Sequence, residues 1–183
     1  MNTISTVEEP IFAKPNKSTK LAMKPWRRVA WLLILLADVG LLLWGAMAAL
    51  APEHLLGPGG VPILSAEYEG FTGHPWPEVV STSPLTAGFI TLLFRMYGTY
   101  GVAFSLVAIA ITITAFRRGD SWAWWALLIG NTLTYIPAMV YDRAVRAIGP
   151  FEMTEYLGLG AVYLALVVTA PFLAAGRKGQ STS

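Results

Sequence analysis

Four long apolar stretches constrain this chain more than any other feature of its sequence. They cover residues 29–51, 85–116, 122–141 and 154–173. An α-helix rises about 1.5 Å per residue, so about 20 residues cross a hydrocarbon core of about 30 Å. Lipid offers the backbone no hydrogen-bond partner, and the stretches are too continuously apolar for barrel strands. The sequence therefore predicts an all-α integral membrane protein, a bundle of four transmembrane helices.

The composition agrees with a chain whose main solvent is lipid. Hydrophobic residues make up 55% of the 183 positions and charged residues only 13%, whereas a soluble domain carries about 25% charge. The sequence has no cysteine, which excludes disulfides, thiolate metal sites and thiol nucleophiles. It also lacks a phosphate-binding glycine loop, a nucleophile elbow and a paired acid–base motif. Whether the protein is an enzyme is therefore left open.

The basic residues predict the orientation of the bundle. They cluster before the first stretch, after the second and after the fourth: Lys14, Lys17, Lys20, Lys24, Arg27, Arg28, Arg117, Arg118, Arg177 and Lys178. The connection over residues 52–84 has no lysine or arginine. Because cytoplasmic segments carry the excess of basic residues, we expect both termini to be cytoplasmic. The same argument accounts for the positive net charge, so we expect no nucleic-acid partner.

The ends of the chain give the predicted domain boundaries. We expect a flexible cytoplasmic tail over residues 1–24, a single membrane domain over residues 25–175 and a cytoplasmic tail over residues 176–183. A cleaved signal peptide is the alternative for the first stretch, since Ala49-Leu50-Ala51 resembles a cleavage site. However, the apolar run exceeds the usual length of about 7–15 residues, and a proline would follow the cut.

The connection over residues 52–84 is expected to form an ordered outer cap. Its prolines and glycines exclude a long helix and favour turns. Between them lie the apolar and aromatic side chains of Ile63, Leu64, Tyr68 and Phe71, which suit the membrane surface or a fold over the helix ends. A disordered loop is the alternative.

Metal binding has only a weak signal. His54 and His74 are the only histidines, and both lie in this connection beside several glutamates. Their spacing matches no zinc motif, and no histidine in a span offers an axial ligand for haem. We therefore expect no metal and no cofactor, with His54 and His74 as weak candidate metal ligands.

One polar side chain in each predicted span lies at a similar depth. These are Asp38, Arg95, Asn131 and Tyr163, within about two helical turns of one another. A charge inside hydrocarbon costs about 2.5–3.5 kcal/mol even on the lenient scale. We expect Asp38 and Arg95 to neutralise one another, with hydrogen bonds from Asn131, Tyr163 and, nearer the outer side, Tyr135. Two interpretations stay open: a ligand or reaction site, and a structural pair that fixes helix register, with Arg95 reaching to the interface.

Residues 92–128 carry one further pattern. An arginine is followed by glycines early in the second span, and a basic turn then leads into a tryptophan-rich start of the third. The residues are Arg95, Gly98, Gly101, Arg117, Arg118, Gly119, Trp122, Trp124 and Trp125. This pattern resembles small bacterial four-span membrane proteins that are broadly DoxX-like. The resemblance implies the four-helix architecture and little else, since this chain has no redox-associated cysteine and its 52–84 connection has no counterpart there. We expect a multi-pass protein of the bacterial inner membrane.

These features favour a binding or accessory protein. We expect the polar layer and the cap to enclose a small amphipathic or lipidic ligand, with Asp38, Arg95, Asn131, Tyr135 and Tyr163 as candidate ligand-binding residues. One alternative is a membrane enzyme acting on a lipophilic substrate, in which Asp38 is the acid or base and Arg95 an electrostatic stabiliser. The other is a structural subunit of a larger complex. The expected partners are membrane lipid, the ligand and either a second copy of the chain or a larger membrane complex.

Overall fold

The computed structural model describes the backbone of residues 25–146 and 148–180 and most of the side chains within them. The predicted tail over residues 1–24 lies outside the described residues. The helices of the described part are α1 Pro25–Leu50, α2 Ile63–Thr72, α3 Trp76–Thr82, α4 Pro84–Ile111, α5 Ser121–Val145 and α6 Pro150–Gln180. A π-helix, Thr112–Phe116, continues α4 without a break.

Within the described residues, four helices are long and apolar enough to cross a membrane, as predicted. They cover Trp26–Leu50, Pro84–Phe116, Ser121–Val145 and Met153–Ala170. The third continues to Val145 and does not stop at Tyr141, because Asp142 and Val145 are both buried against the rest of the protein. It ends where Arg146 takes a left-handed conformation with φ 56°. Pro137 lies inside this helix and does not end it.

Two of the other long helices, α4 and α6, pack against α1. Helix α1 contacts α4 most extensively and also contacts α6, while α5 packs mainly against α6. The α1–α4 contact is close because glycines meet there: a Cβ added to Gly98 would lie 2.7 Å from the carbonyl oxygen of Gly45. Small residues allow such an approach between helices in lipid. Apolar side chains from all four long helices then form one buried cluster, which includes Ile34, Ala108, Leu127, Val162 and Leu166.

The α1–α4 connection folds into turns and the two short helices α2 and α3. Backbone hydrogen bonds close its first turn, from the Gly57 nitrogen to the Val61 oxygen at 2.8 Å and from the Ile63 nitrogen to the Leu55 oxygen at 2.7 Å. Leu55 and Ile63 are buried in a second apolar cluster, together with Trp44, Ala48 and Phe94. Helix α2 also reaches the end of α5, which places it across one end of the four-helix bundle.

Candidate functional site

Asp38 lies near the middle of α1, on the row of side chains turned into the bundle. Its relative exposure is 0%, and Ile34, one turn earlier, is equally buried. The Thr112 hydroxyl donates a long hydrogen bond of 3.5 Å to Asp38 Oδ2. The other carboxyl oxygen, Oδ1, is buried and has no hydrogen-bond partner in the described part of the chain. A buried polar atom left without a partner costs about 1–3 kcal/mol, so stability alone does not explain an aspartate here.

The π-helix presents Thr112 to Asp38. The indole Nε1 of Trp31 donates a 3.1 Å hydrogen bond to the Thr112 carbonyl oxygen. Trp31 and Asp38 lie about two turns apart on one side of α1, so α1 holds Thr112 by both its backbone and its side chain. Single π turns inside α-helices are frequent at functional sites. This one keeps the Thr112 hydroxyl beside the buried carboxylate.

Two more polar side chains, Ser105 on α4 and Asn131 on α5, have a relative exposure of 0%. The Asn131 Nδ2 donates a 2.9 Å hydrogen bond to the Leu127 carbonyl oxygen. Its Oδ1 is buried and, like Asp38 Oδ1, has no partner among the residues that the structure describes. We call Asp38, Ser105, Thr112 and Asn131 the polar core. Each member lies three or four residues from a residue of the apolar cluster that includes Ile34, Ala108 and Leu127. It therefore lies on the same inward-facing side of its helix as that residue.

The two predicted tyrosines have different surroundings. Tyr135 is buried one turn after Asn131, and a Cβ added to Gly158 of α6 would lie 3.5 Å from its hydroxyl oxygen. The Tyr135 phenol is also within electrostatic range of Asp38. The Tyr163 hydroxyl instead shares a 2.8 Å hydrogen bond with the Thr132 hydroxyl. Tyr135 therefore borders the polar core, while Tyr163 ties α6 to α5 beside it.

Arg95 is not part of the polar core. Its Nη2 lies 3.8 Å from Glu53 Oε2, at the start of the α1–α4 connection. Thr112, which contacts Asp38, follows Arg95 by 17 residues on the same continuous helix, a separation of about 25 Å. The prediction that Asp38 and Arg95 neutralise one another is therefore wrong. Gly98, three residues after Arg95, packs against Ala48 and Ala49 near the end of α1, so Arg95 lies level with the end of α1 and not with its middle.

A second polar group lies where α2 covers the end of α5. The Tyr141 hydroxyl donates a 3.1 Å hydrogen bond to Glu67 Oε2. Glu67 on α2 and Asp142 on α5 are almost fully buried, with 7% and 6% relative exposure. The sequence alone does not single out either residue, since Glu67 lies in the 52–84 connection and Asp142 follows the predicted third span. The spacing of Asp142 from Asn131 and Tyr135 on one helix face was the signal that could have identified it.

The two histidines do not form a metal site in the described structure. His54 and His74 are both exposed, and His74 Nδ1 lies 3.8 Å from Glu78 Oε2. Among the side chains that the structure describes, no group of three or more histidine, aspartate or glutamate residues is arranged to hold a metal ion.

Comparisons with known proteins give no relative for this chain. No protein-family model, curated protein or solved structure matches it. The resemblance to DoxX-like proteins therefore stays a prediction, and the function has to be argued from the polar core itself.

Proposed function

We propose that this chain is a multi-pass protein of the bacterial inner membrane that binds a small amphipathic or lipidic ligand at its polar core. One observation carries the proposal: Asp38 Oδ1 is fully buried at mid-helix and has no hydrogen-bond partner in the described structure. Acidic side chains inside membrane helices are expensive and usually functional. A ligand that donates a hydrogen bond to this oxygen offsets the cost of burying the carboxyl group.

The chemistry of the polar core indicates the ligand class. The two buried oxygens without partners, Asp38 Oδ1 and Asn131 Oδ1, both accept hydrogen bonds. The adjacent buried cluster, which includes Ile34, Leu127 and Leu166, is apolar. The ligand we expect therefore has a hydroxyl or amino head group on an apolar body. We expect an amino group to bind more strongly than a hydroxyl group, because it also neutralises the carboxylate.

Binding is favoured over the enzyme that the sequence left open. That enzyme needs Asp38 and Arg95 to act on one substrate, but Arg95 contacts Glu53, about 25 Å along α4 from the Asp38 partner Thr112. Of the candidate ligand-binding residues, Asp38 and Asn131 therefore bind the head group, and Tyr135 borders it. Arg95 and Tyr163 have partners elsewhere.

The orientation we propose has both termini in the cytoplasm. The basic residues before α1 and after the π-helix support it, because cytoplasmic segments retain such residues. In this orientation α2 and α3 lie on the outer side and cover that end of the bundle. The ligand then reaches the polar core from the lipid between the helices or from beneath α2.

Native mass spectrometry of the protein in mild detergent tests the proposal. The wild type is expected to retain a small molecule that Asp38→Asn and Asn131→Leu both lose. Glu78→Gln, which changes an exposed carboxylate on α3, is the control and is expected to retain the molecule. Circular dichroism checks that each variant keeps its helices. An empty wild type, or equal retention by a folded Asp38→Asn variant, contradicts the proposal.

A further inference from the structure

A row of buried polar groups runs along α5 from the polar core toward α2. The face of α5 that is buried along its whole length carries Asn131, Tyr135 and Asp142 among apolar residues. Asn131 and Asp142 are about 16 Å apart along the helix axis. A membrane helix needs no polar side chains for packing, and rows of them inside a bundle usually mark a path for ions or protons.

The middle of this row lies near carboxyl groups of α1 and α6. The Tyr135 phenol lies within electrostatic range of two carboxylates, Asp38 on α1 and Glu155 on α6. Geometry supports the proximity of Glu155. The Tyr135 hydroxyl packs against Gly158 of α6, and Glu155 lies about one turn before Gly158 on the same helix. Tyr135 is therefore near the buried carboxyl of Asp38 on α1 and near a second carboxyl, Glu155, on α6.

Three carboxylates, those of Glu155, Asp142 and Glu67, share one region at the α2 end. Tyr97 on α4 is within electrostatic range of Glu155, Asp142 and Glu67, which come from three different helices. Tyr141 is within range of Glu67 and Asp142 and donates its hydrogen bond to Glu67. Glu67 belongs to α2, the helix that lies across this end, so it is the group of the row nearest the aqueous side.

We propose that Glu67, Asp142, Glu155 and Tyr135 form a proton path that connects Asp38 with the end of the bundle covered by α2. Carboxyl and phenol groups can each donate and accept a proton, which a path requires. The path shares Asp38 with the proposed ligand site and does not depend on the ligand. It gives the protein an activity beyond binding, the exchange of protons between its core and one side of the membrane.

The transfer to Asp38 conserves charge and atoms. Protonated Glu155 gives its proton to the Tyr135 oxygen while Tyr135 gives its own hydroxyl proton to the Asp38 carboxylate. Tyr135 stays neutral throughout, Glu155 becomes a carboxylate and Asp38 becomes an acid. Asp142 and Glu67 then return a proton to Glu155 from the aqueous side. Where two side chains are further apart than a hydrogen bond, a water molecule between them carries the proton.

Infrared spectroscopy after a rapid pH change tests the path without any ligand. The absorption band of the protonated Asp38 carboxyl is identified by its loss in Asp38→Asn, and its rate of change reports proton arrival. Tyr135→Phe removes only the hydroxyl and is expected to slow that rate about tenfold or more. Glu155→Gln, which cannot pass a proton, is expected to slow it as well.

Tyr163→Phe is the matched control, because Tyr163 lies at the same α5–α6 interface but bonds to Thr132. It is expected to leave the rate unchanged. A wild-type rate in Tyr135→Phe, or an Asp38 band that never responds to pH, overturns the proton path. Native mass spectrometry of the same samples separates the two proposals. A slowed rate in Tyr135→Phe upholds the path even if the wild type carries no ligand.

Discussion

Gly98→Ala tests the closest contact in the bundle. A Cβ added to Gly98 would lie 2.6 Å from the Ala49 nitrogen, 2.7 Å from the Ala48 Cβ and 2.7 Å from the Gly45 oxygen. Ordinary contacts between carbon atoms are about 3.5–4.0 Å long. Two of the three neighbouring atoms belong to the α1 backbone and cannot rotate away, so α1 and α4 have to separate.

The expected cost follows from that separation. To relieve these contacts, α4 has to move about 1 Å away from α1. A gap of about 0.5–1 Å between the two helices removes a quarter to a half of the van der Waals attraction between the atoms that line it. Overpacked sites lose about 1–3 kcal/mol. Because α1–α4 is the most extensive helix contact and the clash is with backbone, we expect Gly98→Ala to lower the free energy of unfolding by about 2–3 kcal/mol.

Gly88→Ala is the matched control on the same helix. A Cβ added to Gly88 meets nothing within 4 Å, so the exchange is expected to raise helix stability by about 0.5–1 kcal/mol. The free energy of unfolding is measured in mixed micelles of mild and denaturing detergent, with circular dichroism as the signal. If Gly98→Ala is as stable as Gly88→Ala, the α1–α4 packing described above is refuted.

Two further predictions concern the α1–α4 connection. A side chain at Gly70 would clash with the Val145 carbonyl oxygen, so Gly70→Ala is expected to lift α2 from α5. Faster amide hydrogen exchange over residues 63–72 is the measurement, and unchanged exchange contradicts the contact. Glu53→Gln removes an ion pair to Arg95 that is partly exposed and is expected to cost less than about 1 kcal/mol. A larger loss in thermal unfolding gives this pair a structural role.

The spans are the part of the fold that the sequence predicts best. A helix in lipid needs a continuous apolar stretch, which leaves a direct record in the sequence. For the same reason Asp38 and Asn131 stand out as candidate site residues within apolar runs. The structure places both at 0% exposure on inward-facing rows.

The polar partners depend on tertiary packing, which the sequence does not record in the same way. Arg95 was paired with Asp38 because depth was estimated from the ends of the apolar stretches, while helix rotation and the offset of α4 along α1 were unknown. The burial of Glu67 arises only because α2 folds across α5. The π-helix at Thr112 is held by Trp31, a residue 81 positions away in the chain.

The central claim is that the protein keeps Asp38 in its core for binding and not for stability. The most direct test is the free energy of unfolding of Asp38→Asn and of the wild type, both measured after detergent exchange has removed bound small molecules. In Asp38→Asn the side-chain amide oxygen can still accept the hydrogen bond from the Thr112 hydroxyl. The substitution also removes the buried charge of Asp38, which costs about 2.5–3.5 kcal/mol. We predict that the variant is at least as stable as the wild type. A variant that is less stable by about 2 kcal/mol or more contradicts the claim and makes Asp38 a structural residue.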